Sequence, residues 1–217
     1  MELNEIFKLL FEGLGQTLYM TIFATLFSYL IGVPLGVILT ITSKNGITPC
    51  RWLNVILNAL VNIFRSIPFL ILLVFVMPFT KLIIGTRIGT TASIVPLVIA
   101  AIPFVARMIE SSLNEVNKGV IEASEAMGTS KFKIIYKVLL PEAKPSLLVG
   151  FAISITTILG YSAMAGTIGA GGLGALAVRY GYQRFQTDVM IVTVIVLIII
   201  VQIIQSLGNY LYNKLIK

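Results

Sequence analysis

Histidine is absent from this chain of 217 residues, and cysteine occurs once, at Cys50. Without histidine there is no imidazole to bind a metal or to serve as a general base. A single cysteine excludes an intrachain disulfide, and Cys50 reads as a small side chain in a polar segment. Charge is scarce as well, at 12% of residues, about half the ~25% of an ordinary soluble domain. Hydrophobic residues make up 57% and the mean hydropathy is +0.98. Folded in water, such a chain would lack the polar residues to cover its outside. A soluble enzyme, a secreted disulfide scaffold and a disordered chain are therefore excluded, and an integral membrane protein remains. The basic excess, +7 at neutral pH, then reads as positive charge held on the cytoplasmic side rather than as a nucleic-acid surface. A further absence is the Gly-x-x-x-x-Gly-Lys-Ser/Thr loop, so any ATP that drives this protein is bound by another polypeptide.

What is present is a series of charge-free runs: 13–43, 66–80, 88–106, 145–178 and 189–213. About 20 residues cross a ~30 Å hydrocarbon core. Four runs are long enough, and the short one follows an apolar neighbour, 52–64, with Arg65 between them, placed to snorkel to an interface. Counting basic residues on each side decides whether it spans. Five spans divide them 5 against 11, whereas four spans divide them 7 against 9. The stronger bias selects five transmembrane helices in an all-α polytopic protein, with the N-terminus outside and the C-terminus cytoplasmic. Glu2, Glu5 and Glu12 against Lys8 give the wrong sign for a signal-peptide n-region, so the first run is expected to be a retained span. The whole chain, 1–217, reads as one transmembrane domain, with a cytoplasmic loop at about 108–144. No acidic or basic residue interrupts the middles of spans 1, 3, 4 and 5. This weighs against a proton relay but leaves sodium coupling through backbone carbonyls open.

The loop carries the strongest local signal. It runs Glu122-Ala123-Ser124-Glu125-Ala126-Met127-Gly128-Thr129-Ser130, continues to Leu140 and reaches Pro141. Gly128 suits the left-handed end of one short helix, and Thr129 or Ser130 can cap the next. Pro141 is expected to end that second helix, with Pro145 preventing its immediate resumption. Helical spacing puts Phe132, Ile135, Tyr136 and Leu139 on one face and Lys133 and Lys137 on another. A helix–glycine–helix elbow at a membrane surface is a docking element, although an ordinary amphipathic connector has the same local signs.

Glu-Ala-Ala, three residues, Gly, nine residues, Ile, one residue and Leu-Pro is the signature of the permease subunits of bacterial ABC importers, and this loop resembles it. Glu122, Ala123, Gly128, Leu140 and Pro141 are in register, while Ser124 replaces the second Ala and Val138 the Ile. Over about 13–210 the chain is similar to the permeases of methionine importers. The segments that carry this are Asn62–Phe69, Pro103–Met108 and Gly160–Gly166, with the glycine tract that follows. The resemblance implies that Glu122, Ala123, Ser124, Gly128, Leu140 and Pro141 couple to a separate ATPase. It also implies a homodimeric permease in the bacterial cell membrane, two copies of that ATPase carrying ATP and Mg, and an extracytoplasmic binding protein. No cofactor or metal is expected on this chain, and no nucleic-acid partner.

Gly169-x-Gly171-x-x-Gly174 matches a dinucleotide fingerprint, but no strand precedes it and no βαβ unit surrounds it. Its glycines read as a close-packing or re-entrant segment. Ser162, Gly166, Ala170 and Gly174 recur every four residues, a small-residue stripe suited to close helix packing. Tyr161, Ser162 and Met164 are candidates for a solute path. The two hydroxyls would meet a zwitterion, and the one long flexible side chain among small ones, Met164, would serve as gate. Span 5 is nearly all Ile and Val and reads as a lipid-facing or packing helix. These readings converge on an ATP-driven importer of a small amino acid, methionine by resemblance. Another small polar amino acid, or an ion-coupled carrier, is the alternative. An intramembrane enzyme lacks a nucleophile–base pair.

Overall fold

Prolines and small residues decide where these helices stop and where they touch. A computed structural model describes residues 3–216, so Glu2 and Lys217, used in the sequence argument, lie outside it. Helix α1 runs Leu3–Thr42 and carries Pro34 inside. Helices α2, Arg51–Ser66, and α3, Phe69–Ile84, are separated by two residues. Helix α4 spans Thr90–Asn114. Helices α1 and α4 form the central pair. Ser28, Gly32, Gly36 and Thr40 of α1 are all buried. A Cβ added at Gly32 would stand 2.7 Å from Val105 and one at Gly36 2.6 Å from Ile109. Absent side chains thus let two backbones approach, as small-residue faces do in membranes.

The second span is not one helix: the run 66–80 and its apolar neighbour 52–64 fold as two. Pro68 forces Ile67 into extended backbone (φ −83°, ψ 123°), because its ring excludes the helical region for the residue before it. The chain restarts as α3, bent by 106° from α2. Four helices are long and apolar enough to cross a membrane by themselves, and the count becomes five when this bent pair is taken as one span. The polar face of α2 holds it against α1 and α4. Asn54 Nδ2 donates to the Leu39 carbonyl (2.8 Å) and to Thr42 Oγ1 (3.1 Å). Asn58 Nδ2 donates to the Asn54 carbonyl (2.8 Å), and Arg107 Nη2 donates to Asn62 Oδ1 (2.8 Å). Trp52, Val55, Ile56, Leu60 and Ile63, on its other side, are exposed.

Beyond α4 come α5, Lys118–Ala126, and α6, Lys131–Ile134. A π-helical turn, Ile135–Leu139, leads into α7, Leu140–Glu142. The helix ends at Glu142, one residue past Pro141, but Pro145 does not delay the next helix and stands in its first turn. The Pro141 ring conflicts with an ordinary α turn at the carbonyl four residues back. The wider turn absorbs that conflict: the Leu140 N–H donates to Ile135, five residues back. Helix α8, Lys144–Gly166, follows after Ala143 alone. The long fourth run is not one helix. It stops at Gly166, turns, and resumes as α9, Gly172–Leu176, with a π-helical turn at Ala177–Tyr182. Helix α10, Thr187–Ile216, is largely exposed along its length.

The turn between α8 and α9 is pinned from two sides. Thr90 Oγ1 donates to the Ala170 carbonyl (2.9 Å). The Gly172 N–H donates to Gln16 Oε1 (2.6 Å) and the Leu173 N–H to Thr17 Oγ1 (2.8 Å). Because α8 ends at Gly166, the stripe 162-166-170-174 is not one helical face. Instead Gly166 and Gly174 face each other across the hairpin. A Cβ on Gly174 would fall on the Ala163 backbone, and one on Gly166 within 2.9 Å of the Gly174 carbonyl carbon. Ala170 is buried in the cluster that includes Met20, Leu97 and Ile158.

Candidate docking elbow and solute path

The elbow is built by backbone hydrogen bonds around one glycine. Gly128 has φ +73°, in the left-handed region where a Cβ is penalised. Its N–H donates to Glu125 (2.9 Å), and the Thr129 N–H donates to Ser124 (3.1 Å). This pair of bonds ends α5 in a Schellman turn. Asn117 starts the same helix, its side chain accepting from the Gly119 N–H (2.8 Å). Ser130 caps α6 through its backbone only.

The face of the second loop helix differs from the one expected. Ile134 and Leu139 are buried against Val105, Ile109 and Leu113. Phe132 and Tyr136 are instead 78% and 64% exposed, and Met127 beside the turn is 77% exposed. The π turn changes the residues per turn, so a face drawn at α spacing across it comes out rotated. The elbow thus presents an apolar tip of Met127, Phe132 and Tyr136. Glu122 and Ala123 are exposed, Ser124 is buried with its hydroxyl donated to the Val120 carbonyl (2.8 Å), Leu140 is half-buried and Pro141 exposed.

Farther along α8 the three path residues separate. Ser162 is buried and its hydroxyl donates to the Leu159 carbonyl (2.7 Å), so it faces the protein and offers nothing to a solute. Met164 is 46% exposed. The Tyr161 ring stacks on Phe69 with centroids 4.6 Å apart and planes 6° from parallel. That stack walls a cavity of about 260 Å³ at the α2–α3 break, with Phe64, Arg65, Ala100 and Phe104 also lining it. The sequence argument placed Arg65 with the loop-side charges. The structure puts it at the α2–α3 break, beside that cavity. The cavity, the asparagine row of α2 and the Gln16–Thr17 clamp were missed from sequence. The spacing of Asn54, Asn58 and Asn62 by four was the one available signal.

The model of the binding-protein-dependent transport system inner membrane component family matches residues 32–217. The chain belongs to this family. It is thus a multi-pass membrane component of a transport system rather than an enzyme. Among curated relatives of this family member, the "Probable D-methionine transport system permease protein MetI" of Vibrio cholerae is 54% identical, over 95% of this chain and 92% of its own. The "Methionine import system permease protein MetP" of Bacillus subtilis is 47% identical, over 98% and 94%. The permease fold matches a chain of the MetNI methionine ABC transporter, solved in inward-facing conformations, with TM-score 0.96, 45% identity and 99% of each chain covered. A chain of an amino acid ABC transporter solved with histidines shares the fold, with TM-score 0.80 at 19% identity.

Proposed function

We propose that this chain is the membrane-spanning subunit of an ATP-driven importer of methionine, D, L or both. It works as a homodimer with two copies of a separate ATPase and an extracytoplasmic binding protein. The observation that carries the reading is the elbow. A membrane chain with no nucleotide-binding loop holds out an apolar tip of Met127, Phe132 and Tyr136, set by a glycine-locked bend. Exposed apolar patches of this kind mark protein interfaces. The methionine assignment is supported by the two relatives and the solved transporter described above.

In this reading Glu122, Ala123, Ser124, Gly128, Leu140 and Pro141 form the coupling segment. Glu122 and Ala123 face the ATPase, while Ser124, Gly128, Leu140 and Pro141 hold the shape of the segment. The loop lies on the cytoplasmic side together with the C-terminus, and the N-terminus lies outside. ATP binding on the partner favours one of two permease conformations by differential affinity. Met164, exposed near the far end of α8, is the gate, and Tyr161 lines the path. Ser162 supports the helix. Gly166, Ala170 and Gly174 pack the hairpin behind it.

The test is reconstitution. Co-expressed with its partner ATPase and placed in liposomes, the permease should take up labelled methionine only with internal ATP and external binding protein. Uptake driven by a sodium or proton gradient without ATP would overturn the reading.

A further inference from the structure

We infer that the cavity at the α2–α3 break is a subsite for the solute in transit, in which the Arg65 guanidinium receives the carboxylate of an α-amino acid and the aromatic wall takes its apolar side chain. This rests on the amino-acid import reading above. The depth of the cavity follows from α4. Ala100 and Phe104, which line it, lie 10 and 14 residues past Thr90, or ~15–21 Å along a helix axis. Arg107 closes the same charge-free run three residues past Phe104, so the cavity lies in the Arg107 half of the span, still within the hydrocarbon core. Arg65 therefore sits where a positive charge is unfavourable.

Arg65 is exposed on this chain rather than enclosed by protein. Among the described residues the one ion pair is Arg107 with Glu110, and no carboxylate lines the cavity. Ionisable side chains at this depth face water-filled cavities or partners and mark solute paths. The break itself opens the space, because α3 leaves α2 at 106° and cannot pack over the end of it. In secondary transporters, helices broken within the membrane are where solutes are held, and the same geometry is present at this break. About 260 Å³, against ~30 Å³ for each water in the liquid, admits a small amino acid.

The chemistry of the walls selects the class. A guanidinium binds a carboxylate through two parallel hydrogen bonds, which an ammonium cannot reproduce. The stacked Phe69 and Tyr161 rings, with Phe64 and Phe104, supply apolar surface in a lining that is more polar than apolar overall, and a thioether against aromatic edges is favourable. A free carboxylate with an unbranched apolar side chain fits both halves.

The experiment uses the whole complex in proteoliposomes with binding protein outside, reading labelled methionine taken up per ATP hydrolysed. Arg65→Gln should lower that ratio about tenfold or more, the size of one charge-assisted hydrogen bond. Arg65→Lys should fall between Gln and wild type. Ala100→Leu fills the cavity while keeping the charge, and should lower the same ratio. It also decides the matter if Arg65→Gln fails to assemble. A wild-type ratio in Arg65→Gln, or in both Arg65→Lys and Ala100→Leu, overturns the proposal. So does a parallel fall of uptake and hydrolysis, which indicates damaged docking. If the wild-type complex imports another amino acid and not methionine, the methionine assignment fails alone and the variants are read with that solute. If it imports none, both readings fail.

Discussion

Replacing Gly128 isolates the backbone contribution to docking. The residue has φ +73° with no atom within 4 Å of an added Cβ, so a side chain there meets open space and the cost is conformational. For an alanine in the left-handed region that cost is about 1 kcal/mol. Valine, branched at Cβ, costs more, and asparagine less, because it tolerates this region. The two bonds of the Schellman turn, Gly128 to Glu125 and Thr129 to Ser124, hold the bend between Met127 and Phe132. If the turn opens, docking must first restore it. At 1.4 kcal/mol per decade, alanine should weaken permease–ATPase association about fivefold, with valine tenfold or more and asparagine least affected. Titration of labelled ATPase against permease in nanodiscs, read by fluorescence anisotropy, measures this. Faster amide exchange at Thr129 should accompany it. Wild-type affinity for the valine variant would refute the argument. Equal losses for all three would place the effect in the side chain instead.

Three further perturbations test other parts of the molecule. With Cys50 replaced by serine, a cysteine at Glu125 should label only from the cytoplasm and one at Thr86 only from outside; labelling from the same side would sink the orientation. Met164→Ala should keep the complex assembled while raising uptake that bypasses the binding protein, whereas a drop in melting temperature without leak would make Met164 a packing residue. Gly36→Val should wedge α1 from Ile109 of α4 and destabilise the permease by about 1–3 kcal/mol, seen as a lower melting temperature in detergent; an unchanged value would show that the two helices have slack.

The elements most legible in the sequence were those written in one short-range code. Charge-free runs gave the spans, and a glycine between two helical patterns gave the elbow. What escaped depended on direction or on several helices together. Pro68 announces a stop, but nothing nearby says that α3 leaves at 106°, so the cavity and the place of Arg65 were invisible. Pro141 marks the stop within one residue, but the π turn that accommodates its ring was not foreseen. The same turn rotated the apolar face away from the one drawn at 3.6 residues per turn. The four-residue stripe on the fourth span was a periodicity that ran past the end of its helix. The stripe that does bring helices together, Ser28-Gly32-Gly36-Thr40, lay unremarked in the first.

From Lys131 to Gly166 only Ala143 lies outside a helical turn (φ −76°, ψ −7°). A loop at that point would be compliant and would soak up any push from the cytoplasmic end. A single residue between two helical segments leaves almost no slack, so the segment from Lys131 and the far end of α8 form the two arms of a crank with one pivot. In the proposed reading a push on Phe132 would reach the turn of helix that carries Tyr161 and Met164, whereas one on Met127 must first cross the Gly128 turn.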